Sequence, residues 1–175
     1  MFRKKTTAEL DHTAAGGAPR RTVLLMLDDI RSMHNVGAMF RTADAFGIEK
    51  LLLCGYTPAP PHRDIRKTAL GAEDTVPWAH FPDPAEAIAW CRTSYPDCLV
   101  MALEQTHGST AVADAGTTGL MPVVLVAGNE VSGVSDAVLA LADCCLEIPQ
   151  WGTKHSLNVS VAAGVALYEL TRAGR

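Results

Sequence analysis

The sequence lacks three features that would place the protein in a specialised class. No apolar stretch among its 175 residues approaches the roughly 20 residues that a membrane-spanning helix needs. The first seven residues lack the apolar segment of a secretory signal. The five cysteines form an odd set without the C-x-x-C spacing that is typical of zinc sites. These absences predict a protein of the reducing cytoplasm, with no membrane and no metal site.

Charge is also scarce, since only 19% of the residues are charged and the net charge is −4. Basic residues nevertheless cluster in two places. Residues 1–21 carry a local charge of +3, and residues 62–67 (HRDIRK) form the second cluster. Attraction for phosphate depends on such patches as much as on the total charge. Taken alone, each patch is better explained by an ordinary solvated surface.

Strands and helices alternate along the chain, which favours an α/β fold with a mostly parallel sheet and helices on both faces. We expect one domain over residues 22–175, preceded by a basic, flexible tail of residues 1–21. The strands are predicted at residues 22–27, 50–54, 98–103, 123–127 and 144–148. The helices are predicted at residues 35–47, 84–92, 135–142 and 157–172, and residues 106–119 are predicted to form a loop.

The first polar segment at a strand end opens the first predicted helix. Asn35 is a favourable N-cap residue, and this role alone would explain its presence. Arg41 lies on the polar face of the helix, and because helical side chains lean toward the N-terminus, its guanidinium can approach the Asn35 end. Such an end favours anions. The segment is therefore a candidate anion site, with a solvent-facing arginine as the alternative.

The second segment, residues 128–135 (GNEVSGVS), follows the most apolar predicted strand. Its glycines have the spacing of a phosphate-binding loop, but Val134 stands where that loop requires a lysine. The dinucleotide-binding pattern G-x-G-x-x-G is absent as well. What remains is a tight turn at Gly128 that brings Asn129 and Glu130 to the end of a strand. We expect Glu130 to belong to a site rather than to be an ordinary surface carboxylate.

The third segment, residues 148–160, leads into a helix that has no charged residue between Ser156 and Tyr168. Such a helix is predicted to be mostly buried. Asn158 and Ser160 would then sit in its first turns, where a polar group without a partner costs about 1–3 kcal/mol. Capping by Ser156 accounts for only one of these groups. The others need partners, and a bound ligand is one way to supply them.

Three motifs thus occur in order: Asn35-Val36-Gly37 with Arg41, Gly128-Asn129-Glu130 with Gly133, and Ile148-Pro149 followed by residues 156–160 (SLNVS). In this order, and at matching ends of the alternating pattern, they resemble the motifs of the SpoU (TrmH-like) branch of the SPOUT methyltransferases. The resemblance covers residues 22–172. Each motif alone is weak, whereas the ordered set is specific.

The resemblance implies an enzyme that transfers a methyl group from S-adenosylmethionine to a ribose 2′-oxygen in tRNA or rRNA. It also implies a homodimer and a trefoil knot in the C-terminal part of the α/β sheet. The implied catalytic positions are Arg41, Asn35, Glu130, Ser156 and Asn158. The implied cofactor-binding positions are Leu103, Gly128, Ile148, Ser156 and Leu157. The reaction requires no metal.

The implied reaction needs alignment of three atoms and stabilisation of a developing alkoxide, and alignment alone can supply about 7–11 kcal/mol. A guanidinium stays protonated at pH 7. We therefore assign Arg41 electrostatic stabilisation of the alkoxide and contact with the adjacent phosphate. The hydroxyl proton has three candidate acceptors, which are that phosphate, water and Glu130.

Two other hypotheses belong to different functional classes. One is a catalytically inactive RNA-binding protein of the same fold, which the presence of Arg41, Glu130 and Asn158 disfavours. The other is a flavodoxin-like nucleotide-binding module, which would need a phosphate-binding loop that the sequence lacks.

Overall fold

The computed structural model describes residues 3–6, 21–154 and 156–172. Its centre is a seven-stranded sheet in which all strand pairs are parallel, in the order β3-β2-β1-β6-β4-β7-β5. This confirms the predicted α/β class. The strands are β1 (Val23–Asp28), β2 (Lys50–Cys54), β3 (Trp78–Phe81), β4 (Leu99–Leu103), β5 (Thr110–Ala111), β6 (Val123–Ala127) and β7 (Cys144–Glu147).

Helices cover both faces of the sheet, as the pattern predicts. They are α1 (Met33–Phe46), α2 (Arg63–Ala69), α3 (Ala72–Thr75), α4 (Pro84–Ser94), α5 (Asp136–Leu139) and α6 (Val159–Arg172), with a 3-10 helix at Val112–Thr118. One apolar core lies under α1, α2, α3 and α6, and a second lies under α4 and α5. Strands β1 and β6 are buried along their whole length between these cores, which explains their almost uninterrupted apolar sequences.

Several elements differ from the prediction. No helix or strand is predicted between residues 54 and 84, but this connection contains α2, α3 and the edge strand β3. No residue of β3 is fully buried, so its sequence lacks the apolar run that identifies the central strands. The predicted loop 106–119 contains β5 and the 3-10 helix, and α5 ends at Leu139 rather than at residue 142. These short elements are held by tertiary contacts more than by local propensity.

The predicted N-cap role of Asn35 is wrong. Helix α1 begins two residues earlier, and its N-cap is Ser32, whose hydroxyl accepts a hydrogen bond from the Asn35 N–H at 3.3 Å. At the other end the prediction holds, because Gly47 adopts the left-handed conformation (φ 62°) that ends the helix. The side chain of Asn35 is therefore released from capping and points toward other elements.

Helices α1 and α2 pack at very short range, and Gly37 makes this possible. A Cβ atom at Gly37 would overlap with Thr68 Oγ1 and with the carbonyl oxygen of Ile65. Thr68 Oγ1 in turn donates a hydrogen bond to the carbonyl oxygen of His34 at 3.0 Å. The basic cluster at residues 62–67 is thereby fixed against the first two turns of α1.

Helix α6 is less buried than its uncharged sequence predicts. It begins at Val159, and Val161, Val165 and Tyr168 form an exposed apolar strip along one side. The exposed fractions are 53% for Val161 and 54% for Tyr168. The residue before the helix, Asn158, acts as its cap, since Asn158 Oδ1 accepts hydrogen bonds from the Ser160 N–H and hydroxyl. The protein itself, rather than a ligand, thus supplies partners for these polar groups.

Most of the predicted tail, residues 7–20, lies outside the described residues. Arg21, which was counted with the tail, is buried, with only 5% of its surface exposed. Its Nε donates a hydrogen bond to the Gly119 carbonyl oxygen at 2.9 Å. No helix within the described part of the chain is long and apolar enough to cross a membrane. The C-terminal trefoil knot implied by the resemblance stays a prediction.

Candidate active site at the carboxyl edge of the sheet

A cavity of about 500 Å³ lies at the carboxyl ends of β4, β6 and β7, within the size range of small-molecule sites. Ligands of parallel α/β sheets bind at this edge. All five predicted cofactor-binding residues line the cavity, and so do three predicted catalytic residues. These lining residues are Leu103, Gly128, Ile148, Ser156, Leu157, Glu130 and Asn158.

A tight turn after β6 forms one wall of the cavity. Asn129 and Gly133 pair through two backbone hydrogen bonds of 2.9 Å, and Asn129 Oδ1 accepts from the Val131 and Ser132 N–H groups inside the turn. Asn129 Nδ2 also donates to the carbonyl of Asp29 at 2.7 Å. The buried Asn129 therefore shapes the turn at the end of β6 and ties it to the residue that follows β1.

Glycine is required at both ends of this turn. A Cβ atom at Gly128 would overlap with the backbone of Gly133 and Val134, so the chain can close on itself only without a side chain there. Gly133 has a φ of 73° and leaves room for the carboxylate of Glu104. These two positions explain the glycine spacing that superficially suggests a phosphate-binding loop.

Glu130 connects the turn to the start of α1. Its Oε2 accepts from the Arg31 N–H at 3.0 Å, and its Oε1 accepts from the Ser32 N–H at 3.0 Å. The Asn35 side-chain amide donates to Oε1 as well, at 2.9 Å. Both carboxylate oxygens are therefore engaged with the residues that begin α1.

Asn35 extends this chain to the third motif. Its Oδ1 accepts a hydrogen bond from Asn158 Nδ2 at 3.1 Å, while Asn158 Oδ1 caps α6. In the sequence, Glu130 lies 95 residues after Asn35, and Asn158 lies 123 residues after it. The three side chains nevertheless form one hydrogen-bonded row. The structure brings together one polar residue from each of the three motifs.

The surroundings of Glu130 lower its pKa. Partial burial alone would raise the pKa of this carboxyl, but the hydrogen bonds from the Arg31 N–H and the Asn35 amide outweigh that effect. The group is an ionised hydrogen-bond acceptor at neutral pH. With its oxygens engaged and its pKa below the ordinary value, Glu130 is a poor acceptor for a further proton.

Sequence reasoning missed Glu104, which follows β4 and lines the cavity. Its Oε2 accepts from the Val134 N–H at 2.9 Å, and its Oε1 accepts from the Gln105 N–H at 3.0 Å. The available signal was a carboxylate placed directly after an apolar strand. Glu147, the last residue of β7, and Gln150, three residues further on, also line the cavity.

Two predicted catalytic residues do not line this cavity, and only Arg41 makes no hydrogen bond to a residue that does, within the described part of the chain. It is exposed and lines a shallow depression between α1 and α2, together with Thr42, Phe46 and Lys67. Asn35 does not line the cavity either, but it is hydrogen-bonded to two residues that do. Across residues 3–6, 21–154 and 156–172, no three His, Cys, Asp or Glu side chains cluster in a way that could hold a metal ion.

Comparison with known proteins identifies the family. The model of the SpoU rRNA Methylase family matches residues 22–168. This chain belongs to that family. A curated SpoU relative is the 23S rRNA (guanosine-2'-O-)-methyltransferase RlmB of Coxiella burnetii, which is 32% identical over 155 residues, a match covering 86% of this chain and 58% of the relative.

Solved structures of SpoU proteins share the fold. The SpoU methyltransferase AviRb from Streptomyces viridochromogenes in complex with the cofactor AdoMet matches with a TM-score of 0.79 and 28% identity, over 89% of this chain and 59% of that one. The A. aeolicus TrmH/SpoU tRNA modifying enzyme matches with a TM-score of 0.77 and 28% identity, over 89% and 77%. The chain spans about three fifths of the length of the curated relative RlmB.

Proposed function

We propose that the protein is an S-adenosylmethionine-dependent methyltransferase that acts on a ribose 2′-hydroxyl in rRNA or tRNA. The observation that carries the proposal is the row Glu130–Asn35–Asn158 beside a cavity lined by all five predicted cofactor-binding residues. The rRNA 2'-O-methyltransferase activity of RlmB and the cofactor bound to AviRb support it, since both proteins are related to this chain.

The residues of the cavity fit S-adenosylmethionine. Leu103, Ile148 and Leu157 offer apolar surface for the adenine ring, and the carboxylate of Glu104 offers an acceptor for hydroxyl or ammonium groups. Gly128 keeps the backbone at the end of β6 free of a side chain. When bound, the cofactor supplies a methyl group already activated on a sulfonium sulfur.

Glu130 and the two asparagines are assigned positioning roles in this reaction. Glu130 fixes the start of α1, and Asn35 and Asn158 hold α1 against the start of α6. Because the Glu130 oxygens are engaged and its pKa is lowered, we assign the hydroxyl proton to water or to the adjacent phosphate of the substrate. Ser156, exposed at the cavity wall, is assigned a contact with substrate or cofactor.

We further propose that the working unit is a homodimer. The exposed strip of α6 (Val161, Val165 and Tyr168) is apolar at helical spacing, and Leu157 extends it to the cavity wall. An amphipathic helix normally buries such a face against another element. A second copy of the chain would cover the strip by a two-fold, antiparallel pairing of the two α6 helices.

This pairing would also account for the position of Arg41. Tyr168 contacts Phe46, with ring centroids 6.2 Å apart, and Phe46 lines the same depression as Arg41. Arg41 precedes Thr42, which lies beside Gly164 in the middle of α6, so Arg41 flanks the strip, whereas the cavity is near the N-terminal end of the strip. In an antiparallel pair, the partner subunit's Arg41 comes toward the cavity, where its charge would stabilise the developing alkoxide.

The proposal is tested with purified protein, rRNA and tRNA that lack ribose methylation, and methyl-labelled S-adenosylmethionine. We expect label in RNA, recovered after alkaline hydrolysis as dinucleotides, because a 2′-O-methyl group blocks cleavage at that position. Calorimetry should show binding of S-adenosylmethionine. Cofactor binding without turnover on either RNA would instead indicate the inactive RNA-binding protein, and label on bases would contradict the ribose assignment.

A further inference from the structure

Three arginines on one face of the molecule have no hydrogen-bond or ion-pair partner for their side chains among the described residues. These are Arg31, Arg41 and Arg63, and all three are exposed. The other arginines described between residues 21 and 172 are engaged with carbonyl or carboxylate oxygens. Those engaged arginines are Arg21, Arg66, Arg92 and Arg172.

The three arginines lie along the packed helices α1 and α2. Arg31 stands immediately before the N-cap of α1, Arg41 lies two turns into α1, and Arg63 begins α2. Lys67, four residues after Arg63, shares one side of α2 with it and lines the depression that contains Arg41. The Lys67 ammonium is paired with the Asp64 carboxylate at 2.6 Å, so we call only Arg31, Arg41 and Arg63 the basic surface.

The basic surface begins at the rim of the cavity. The backbone N–H of Arg31 donates to Glu130, which lines the cavity, and the close packing at Gly37 holds α2 beside the same end of α1. Tyr56 precedes α2 and is 87% exposed, and its N–H donates to the side chain of Asp29 at the end of β1. An exposed aromatic ring thus stands at the same edge of the sheet.

We propose that the basic surface binds the phosphate backbone of the RNA on the α1–α2 side of the modified nucleotide, an inference that rests on the proposed function. Unpaired guanidinium groups are suited to phosphate, because their planar fork can donate two hydrogen bonds to one phosphate group. The total charge of −4 would repel RNA, so a local surface of this kind is needed for its attraction. RNA is favoured over an acidic protein segment because Tyr56 offers a stacking surface for a base.

Arg66 provides a matched control within the same helix. It lies one turn after Arg63, 3.7 Å from the carboxylate of Glu73 and 3.6 Å from that of Asp74. Arg66→Gln and Arg63→Gln remove the same charge from the same helix. Of the two, only Arg63 has no carboxylate partner among the described residues.

The test measures binding of a fluorescein-labelled single-stranded RNA oligonucleotide of mixed sequence by anisotropy across a salt series. Each lost phosphate contact should lower the magnitude of the slope of log K against log[salt] by about 0.7 and weaken binding by about fivefold at 0.1 M salt. We expect this change for Arg63→Gln, twice this change in slope for Arg31→Gln/Arg63→Gln, and an unchanged slope for Arg66→Gln. Circular dichroism and calorimetry with S-adenosylmethionine check that each variant folds and binds cofactor.

Each outcome decides the proposal. The proposed contact between the basic surface and RNA would be refuted if the salt-dependence slopes of both variants that carry Arg63→Gln match the wild type. With cofactor binding and methylation intact, the proposed function would still stand. An equal decrease in slope for Arg66→Gln would show that only the net charge matters, and this result would also refute the proposed contact. A polyglutamate oligomer that binds as tightly, with the same loss in the variants, would identify an acidic protein partner instead. Wild-type protein that binds neither S-adenosylmethionine nor RNA would contradict the proposed function itself.

Discussion

Replacing Glu130 by glutamine should separate the positioning role of this residue from a role as a base. In the wild type, Oε1 accepts two hydrogen bonds, from Ser32 and Asn35, and Oε2 accepts one, from Arg31. Glutamine offers only one oxygen. Whichever way the amide is turned, its NH₂ group faces at least one backbone N–H, and at least one hydrogen bond is lost.

The structure sets the size of the expected effect. A buried hydrogen bond to a charged group contributes about 1.5–3 kcal/mol. Glu130 is exposed to solvent, and water weakens the hydrogen bonds that its charged carboxylate accepts. We therefore expect Glu130→Gln to lower the free energy of unfolding by about 1–2 kcal/mol at pH 7. For a chain of this size the melting temperature should fall by about 2–8 °C.

The effect should depend on pH. The pKa of Glu130 in the folded state lies below its ordinary value of 4.5, so its contribution to stability is fully present above that value and is lost as the pH falls through the folded-state pKa. The difference in unfolding free energy between the wild type and Glu130→Gln should thus be constant at neutral pH and shrink in acid. Urea unfolding followed by circular dichroism, repeated between about pH 7 and pH 3, measures this difference.

Glu49→Gln is the matched control, because Glu49 is exposed and its side chain makes no hydrogen bond within the described part of the chain. It removes one negative charge without disturbing α1, and its unfolding free energy should stay within about 0.5 kcal/mol of the wild type. A Glu130→Gln variant as stable as this control at pH 7 would refute the reasoning. So would a destabilisation that is independent of pH.

Three further variants test other parts of the structure. Arg41→Ala should keep the fold and cofactor binding but lower single-turnover methylation by about 10²–10³-fold, and Arg41→Lys should be nearly as poor; an unchanged rate would remove Arg41 from the mechanism. Gly37→Ala should lower the unfolding free energy by about 1–3 kcal/mol because its Cβ would overlap with α2, whereas Gly164→Ala, whose Cβ would lie 3.8 Å from Thr42, should be neutral or stabilising in urea unfolding. Val165→Arg should convert a particle of twice 18.6 kDa into a monomer in sedimentation equilibrium, and a wild type that is already monomeric and fully active would contradict the dimer.

The sequence predicts the strands and helices that have a strong period of their own. Strands β1 and β6 are identified by short apolar runs, and α1 by apolar residues at helical spacing that end at Gly47. It also predicts that the polar segments after β1 and β6 belong to one site, because parallel strands end at the same edge. The edge strand β3 and the short helices α2 and α3 are not predicted from the sequence. Each has too few residues to show a clear hydrophobic period.

The sequence by itself determined the family, the α/β class and the residue types of the candidate site, because local periodicity and the three ordered motifs are encoded in neighbouring residues. Only the tertiary structure decided what those residues do. It assigned the cap of α1 to Ser32 and freed Asn35 to join Glu130 to Asn158, a pairing across more than ninety residues that no local pattern contains. It also separated Arg41 from the cavity and left one side of α6 exposed, because burial depends on which surfaces meet in three dimensions.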